Sequence, residues 1–234
     1  MYPYLFGNQE LEMYNIIGVL GYIIPLFFFI YRKTWSADVP PGEKRRPSVV
    51  ILPLVVHLIA YTFAGKLLGP LVNRGTEFFG YVAVSALGVV LAAVTLGRRP
   101  WRWLDATVPL YLTMAAVLKL CCFCAGCCRG LPWAWGLENH QTQQAEFPIQ
   151  LAEAALYALL LWLLCRESGR PGRRFSLFLV GYAGVRFTVQ FFRADVEVFT
   201  SFHWLSAGFF ALGVVGLLLC RLVPEKSPAP EQEE

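Results

Sequence analysis

The chain has 234 residues, of which 56% are apolar and only 15% are charged, and its formal net charge at pH 7 is +4. This composition excludes an ordinary soluble domain, in which about a quarter of the residues are charged. The small net charge says little about partners, and no nucleic-acid partner is predicted. The composition instead predicts an all-α polytopic membrane protein.

Seven apolar segments follow one another along the chain, and each has 17 to 25 residues. Each is therefore long enough to cross a hydrocarbon core of about 30 Å as a helix. Glu10 and Glu12 precede the first segment where a signal peptide would carry basic residues, so we expect that segment to be retained. The predicted spans are residues 15–31, 48–72, 78–96, 104–127, 148–164, 175–192 and 204–222.

The lysines and arginines of the connecting segments are distributed unequally between the two sides of the membrane. Fourteen lie in the first, third and fifth loops and the tail, and three lie in the connections on the opposite side. The positive-inside rule then places the N-terminus outside and the C-terminus in the cytoplasm. We expect one transmembrane domain over residues 1–224 and a disordered cytoplasmic tail over residues 225–234.

The remaining three cations, Lys66, Lys119 and Arg186, fall inside predicted spans. Each costs about 2.5–3.5 kcal/mol in a bilayer by insertion scales, so each needs a partner. One hypothesis is structural: Lys66 reaches the interface, Lys119 pairs with Glu153, and Arg186 bonds backbone carbonyls. The other is that the three converge on the phosphate of an anionic lipid. The polar residues expected to line the same cavity are Gln150, Glu153, Gln190 and His203.

Five of the seven cysteines are concentrated in residues 121–128. Cys124 and Cys127 have the spacing of half a zinc site, but no second pair follows at loop spacing, and His140 is the only nearby imidazole. Cys121, Cys124 and Cys128 lie near one helical face, where small residues let helices approach closely. A disulfide between Cys127 and Cys128 is a further alternative, although adjacent cysteines rarely pair without strain. Packing is favoured, and no metal or cofactor is predicted.

Three blocks of sequence point to a known family. They are residues 119–130 (KLCCFCAGCCRG), 147–154 (FPIQLAEA) and 181–195 (GYAGVRFTVQFFRAD). In order and spacing they resemble bacterial prolipoprotein diacylglyceryl transferases, which have seven transmembrane helices and an external N-terminus. The resemblance implies a multi-pass enzyme of the bacterial cytoplasmic membrane. Its reaction moves the diacylglyceryl group of phosphatidylglycerol, or of a related anionic glycerolipid, to the lipobox cysteine in a prolipoprotein signal peptide.

The resemblance also implies roles for individual residues. Arg186 and Lys119 would hold the lipid phosphate and stabilise the departing group, and a base would activate the acceptor thiol. The candidates for that base are His203, His140 and Glu153, of which His203 is taken as catalytic. The residues expected to bind substrate are Lys66, Tyr14, Cys122, Gly130, Gln150, Glu153, Gln190 and Arg193.

The chain departs from the family pattern at several positions. Phe79 stands where the family has an essential histidine, Lys66 and Lys119 stand where it has arginines, and Gln190 replaces a glutamate. Cys122 and Ala125 stand where the family has asparagines, Cys121 where it has a glycine and Cys127 where it has a glutamate. A second hypothesis is therefore a non-catalytic paralogue that binds anionic glycerolipid as an accessory membrane protein. A transporter is a third, with no inverted repeat to support it.

The charge asymmetry predicts the outcome of a topology experiment. A reporter that is active only in the cytoplasm should give signal when fused after Glu43, Arg99 or Arg170, because these positions lie in the basic loops. Fusions after Gly75 or Asn139 should be silent. Signal from either of these two would contradict the seven-span arrangement.

Overall fold

The computed structural model describes residues 16–17, 19–21, 55–57, 59–60, 77–95, 99–167, 169–194 and 201–222. Most of the first two predicted spans lies outside these residues, as do Tyr14, Lys66 and the tail at residues 225–234. The described residues of those two spans, 16–17, 19–21, 55–57 and 59–60, are helical.

The described part of the chain is mostly helical, as the apolar segments predict. Its helices match predicted spans three to seven within four residues at each end. Three of them, α1, α2 and α5, are long and apolar enough to cross a membrane, and α3 is a shorter apolar helix. The helices are α1 (Glu77–Thr95), α2 (Pro100–Ala125), α3 (Ile149–Cys165), α4 (Arg173–Gln190) and α5 (Ser201–Leu222).

A β-hairpin between α2 and α3 corrects the expectation of an all-α protein. Strand β1 (Pro132–Asn139) pairs antiparallel with β2 (Gln144–Glu146), with Leu137 opposite Glu146 and Asn139 opposite Gln144. The hairpin forms where the aromatic residues Trp133 and Trp135 favour a strand and the polar residues 140–143 favour a turn.

Aromatic rings hold the helices together in the centre of the described structure. Tyr111 of α2 stacks on Phe178 of α4 with ring centroids 5.3 Å apart, and Phe178 stacks on Tyr182 at 5.7 Å. Tyr182 also stacks on Tyr157 of α3 at 5.3 Å and meets the edge of Phe79 of α1 at 5.4 Å. Such pairs contribute about 0.5–1.5 kcal/mol each beyond the area that they bury. The row therefore ties four helices into one core.

A buried carboxylate joins α2 to the beginning of α4. Asp105, in the second turn of α2, accepts hydrogen bonds from the backbone N–H groups of Gly172 (2.6 Å) and Phe175 (2.7 Å). Gly172 precedes α4 and has φ +86°, a conformation that glycine adopts without steric cost. The first N–H groups of a helix lack partners inside the helix, and its positive dipole end favours an anion. Asp105 thus caps a helix to which it does not belong.

We predict that Asp105→Ala lowers the free energy of unfolding by about 1.5–3 kcal/mol or more. One hydrogen bond to a charged group contributes about that much, and this variant loses two. Asp105→Asn keeps one acceptor oxygen and should fall between this variant and the parent. Thermal unfolding in detergent measures both. Equal stability of Asp105→Ala and the parent would show that the cap contributes nothing.

Candidate functional site

Two cations and one carboxylate form a buried ion cluster where α2, α3 and α4 meet. Lys119 Nζ lies 2.8 Å from Glu153 Oε2, and Arg186 Nη1 lies 2.6 Å from Glu153 Oε1. The phenol of Tyr157 donates a further hydrogen bond to Glu153 Oε1 at 2.7 Å. Glu153 is 1% exposed and Arg186 5% exposed. We call these three charged residues the ion cluster; its formal charge is that of one cation.

Alternating helix directions bring the ion cluster together. Glu153 lies one turn after the beginning of α3, and Arg186 lies one turn before the end of α4. Lys119 lies in the last two turns of α2. A negative charge near a helix N-terminus and a positive charge near a C-terminus are both favoured by the helix dipole. The signs of the three charges therefore suit the helix ends that carry them.

The structure shows partners for two of the three buried cations, because Lys66 lies outside the described residues. The pairing of Lys119 with Glu153 is confirmed at 2.8 Å. Backbone carbonyls and a lipid phosphate are the partners considered for Arg186 from the sequence, and the structure adds Glu153, which comes from a different helix and bonds it directly. Tyr157 was missed by the sequence analysis, although its spacing of four residues from Glu153 on one helix is a usable signal.

Two buried amides near these residues have unused hydrogen-bonding atoms among the described residues. Gln150 Nε2 donates to the carbonyl oxygen of Cys127 at 2.7 Å, while its Oε1 has no hydrogen-bond partner. Gln190 is 3% exposed, and neither its amide oxygen nor its nitrogen has a hydrogen-bond partner. A buried polar group without a partner costs about 1–3 kcal/mol. These atoms are therefore available to a polar ligand.

The two aromatic positions that bear on catalysis are both buried. His203 of α5 packs against the rings of Phe187 and Phe191, with centroids 5.1 and 4.7 Å away. Its neighbour Phe202 lies 5.6 Å from the guanidinium carbon of Arg186. Phe79 is 2% exposed and belongs to the aromatic core. A hydrocarbon ring thus fills the position at which the resemblance expects a histidine.

A Schellman motif ends α2 and gathers three cysteines. Gly126 has φ +73°, its N–H donates to Phe123 O at 3.2 Å, and the N–H of Cys127 donates to Cys122 O at 3.2 Å. This motif brings the residue after the glycine close to the last turn of the helix. The Sγ atoms of Cys122, Cys127 and Cys128 all lie within 4.8 Å of one another. We call them the thiol cluster.

The thiol cluster corrects the helical-face interpretation of the cysteines. Cys128 lies beyond the end of α2, so it cannot share a helical face with Cys121 and Cys124. Hydrogen bonds from the thiols of Cys122 and Cys127 hold the pKa of the Cys128 thiol well below its usual value. The charge of Lys119 lowers that pKa further, and burial opposes the shift. The three thiols therefore act as one group.

The segments that follow α2 and α4 pair with each other beside the thiol cluster. Gly130 forms a β-bridge with Arg193, and the N–H of Leu131 donates to Phe192 O at 3.1 Å. A Cβ atom on Gly130 would collide with the carbonyl oxygen of Phe147, so this close approach requires glycine. Gly130 and Arg193, both predicted to bind substrate, thus lie together.

The hairpin caps the C-terminal end of α2. The side-chain amides of Asn139 and Gln141 donate to the carbonyl oxygens of Gly126 (3.0 Å) and Ala125 (2.8 Å). Asn139 also donates to Glu146 at 2.9 Å, which fixes the two strands against each other. The last carbonyls of a helix have no partners inside it. The hairpin supplies those partners and so holds the cysteine turn in place.

The family model described as prolipoprotein diacylglyceryl transferase matches residues 4–219. A phosphatidylglycerol–prolipoprotein diacylglyceryl transferase of Coxiella burnetii (strain Dugway 5J108-111) is 31% identical over 231 residues, which cover 86% of this chain and 85% of the relative. A protein of the same name from Legionella pneumophila (strain Corby) is 27% identical over 229 residues, 87% of this chain and 88% of the relative.

The ion cluster generates a stability prediction. Glu153→Gln removes the carboxylate that both cations share, and breaking a buried ion pair in this way costs about 3–5 kcal/mol. The control is Glu167→Gln, which removes the half-buried partner of the exposed Arg173 at the same distance of 2.8 Å and should cost at most about 1 kcal/mol. Thermal unfolding in detergent compares the two. Equal losses would mean that burial of the cluster has no energetic consequence.

Proposed function

Because the chain belongs to the prolipoprotein diacylglyceryl transferase family, we propose that it moves a diacylglyceryl group from phosphatidylglycerol to the lipobox cysteine thiol of a prolipoprotein. The family is one of transferases, and the relatives carry both substrates in their names. The ion cluster is the observation that carries the proposal for this chain. Its charge, burial and neighbouring amides suit a lipid phosphodiester.

The charge of the ion cluster matches that of the donor lipid. Two cations and one carboxylate leave one positive charge in a site that is largely closed to water. A phosphodiester carries one negative charge, so its arrival would neutralise the site. Lys119 is the more exposed cation, with 13% of its side chain accessible, and it can turn from Glu153 to a phosphate as a point charge. Arg186 stays anchored by Glu153 and presents its remaining N–H groups.

The same groups suit the change in charge during the reaction. Attack of a thiolate on the glyceryl carbon breaks the carbon–oxygen bond and releases glycerol phosphate, whose phosphate gains a second negative charge. Preorganised cations that meet such charge in a dry site are among the largest contributions to catalysis. The unused amide atoms of Gln150 and Gln190 are suited to the glycerol hydroxyls or phosphate oxygens. The roles of Lys119 and Arg186 are therefore phosphate binding and leaving-group stabilisation.

The acceptor thiol needs a base, because the thiolate is the nucleophile. Glu153 suits this role poorly, since its oxygens already accept from Lys119, Arg186 and Tyr157. We assign the role to His203, whose neighbour Phe202 packs near Arg186. Tyr14 and Lys66, which lie outside the described residues, keep their proposed roles in lipid binding.

We propose that the enzyme lies in the bacterial cytoplasmic membrane with seven spans and that its site opens toward the outer side. The distribution of basic residues supports this orientation, since the ion cluster lies at the helix ends opposite the basic loops. The hairpin exposes Trp133 and Trp135, with 46% and 85% of their surfaces accessible. Tryptophan is favoured at the membrane interface, so the hairpin is suited to the boundary between lipid and water.

Arg186 provides the test of the proposed function. Incubating the purified protein with labelled phosphatidylglycerol and a lipobox peptide should yield lipidated peptide. Arg186→Ala should lower the rate by about 10²–10³-fold, as for loss of one donor to a developing oxyanion. Arg186→Lys should lose less activity than Arg186→Ala because lysine keeps the positive charge. It should still fall below the parent because lysine lacks the planar guanidinium group.

Arg173→Ala is the matched control, since it removes an exposed arginine from the same helix. Loss of activity in both variants would point to a structural effect. If the parent protein binds phosphatidylglycerol but transfers nothing, the accessory lipid-binding function replaces the catalytic one. The burial of Phe79 where a histidine is expected is the observation that favours that second candidate.

A further inference from the structure

The thiol cluster has the dimensions of a metal site. Its three Sγ atoms lie within 4.8 Å of one another. In a tetrahedral zinc site with Zn–S bonds of about 2.3 Å, the sulfur atoms are about 3.8 Å apart. If each sulfur atom moves by less than about 1 Å through side-chain rotation, the sulfur–sulfur distances reach those of a zinc site. The described residues hold no other group of three or more metal-ligating side chains at this spacing.

The backbone fixes the three sulfurs before any ligand arrives. Gly126 in the left-handed conformation returns the chain over the last turn of α2, which sets Cys127 beside Cys122. Cys128 has φ +56°, a conformation that is uncommon and strained for a residue with a side chain. Gln150 then clamps the carbonyl of Cys127 at 2.7 Å. A turn held in this way is preorganised for a ligand that uses all three thiols.

The surroundings suit a group with negative charge. Three thiolates and one divalent cation sum to one negative charge, and Lys119 lies one turn before Cys122 on the same helix. The three cysteines are half-buried, so an ion and a further ligand can reach them. A packing role explains small side chains at a helix contact, but it does not explain why two thiols beyond the end of α2 converge on Cys122 in its last turn. The group was not predicted from the sequence, in which Cys124 was paired with Cys127.

We propose that Cys122, Cys127 and Cys128 bind one zinc ion through their thiolates and leave its fourth position open for the thiol of the acceptor cysteine. Three protein ligands with one open position are the pattern of a catalytic rather than a structural zinc site. The assignment of the fourth ligand rests on the proposed function, whereas the proposed binding of zinc by the three cysteines does not depend on it. This metal site replaces the expectation from the sequence that these cysteines only pack.

Zinc coordination would activate the acceptor thiol, which Phe79 cannot do because its side chain has no basic atom. A thiol that binds zinc is deprotonated, so a base of ordinary strength such as His203, or water, is enough to accept its proton. The thiolate sulfur then forms a bond to the glyceryl carbon, and the bond from that carbon to the phosphate oxygen breaks. The electron pair leaves with glycerol phosphate. Gln150 connects the two halves of the site, because it bonds the cysteine turn and lies in the first turn of the helix that carries Glu153.

Metal analysis of the purified protein tests the site without reference to activity. Protein purified in detergent without chelators, and then dialysed against zinc, should hold about one zinc ion per chain. Cys128→Ser should hold almost none, whereas Cys124→Ser, the control from the same segment, should keep the full amount. Cobalt should give a sulfur-to-metal charge-transfer band in the parent and in Cys124→Ser only. A parent without stoichiometric zinc, or equal zinc in Cys128→Ser, overturns the proposal.

Transfer assays test the open coordination position. Protein stripped with a chelator should lose lipid transfer to the lipobox peptide and regain it when zinc is restored. Equal transfer with and without zinc overturns the role in thiol activation. If zinc binds as predicted but no form of the protein transfers lipid, the proposed function fails while the metal site stands. A size-exclusion profile identical to the parent's shows that Cys128→Ser is folded.

Discussion

The carboxylate of Glu153 is the interaction on which the rest of the site depends. Two cations from different helices share it, and all three charges lie in surroundings with little water. Charges this close interact strongly, but desolvation offsets much of that energy, so the cluster is weak evidence of stability. Its more direct consequence is geometric. Glu153 fixes where α2, α3 and α4 meet and leaves one uncompensated positive charge at that point.

The hydrophobic pattern was sufficient to predict the helices but not the pairing between them. Long apolar runs have one stable form in a bilayer, so spans three to seven could be located within a few residues. The partner of Arg186 could not be found along its own helix, because Glu153 is 33 residues away in sequence. The pairing of Lys119 with Glu153 was one of two hypotheses from the sequence, and only the packing of the helices shows that it forms.

The hairpin and the cysteines show a second limit of sequence reasoning. Trp133 and Trp135 favour a strand, but exposed tryptophans also fit a loop at the membrane interface. The cysteines were placed on a continuing helix, whereas Gly126 ends that helix and reverses the chain. One residue in the left-handed conformation therefore changed which thiols meet. The sequence contained the signal, since glycine is the usual residue at such a helix end.

The proposed chemistry divides the site into a lipid half and an acceptor half. The cations at Lys119 and Arg186 keep the positive charge that the resemblance requires, while the changes at Phe79 and residues 121–128 affect groups that would serve the acceptor. Gln150 lies between the halves and contacts the cysteine turn directly. A site that keeps its cations on the lipid side and loses the histidine on the acceptor side is consistent with an unchanged lipid donor and a different means of activating the thiol.

The most direct test of the central claim is a cryo-electron microscopy structure of the protein in nanodiscs that contain phosphatidylglycerol. We expect the lipid phosphate within hydrogen-bonding distance of both Lys119 and Arg186, with Glu153 still bonded to the arginine. A phosphate bound elsewhere, with the ion cluster closed and unchanged, would contradict it.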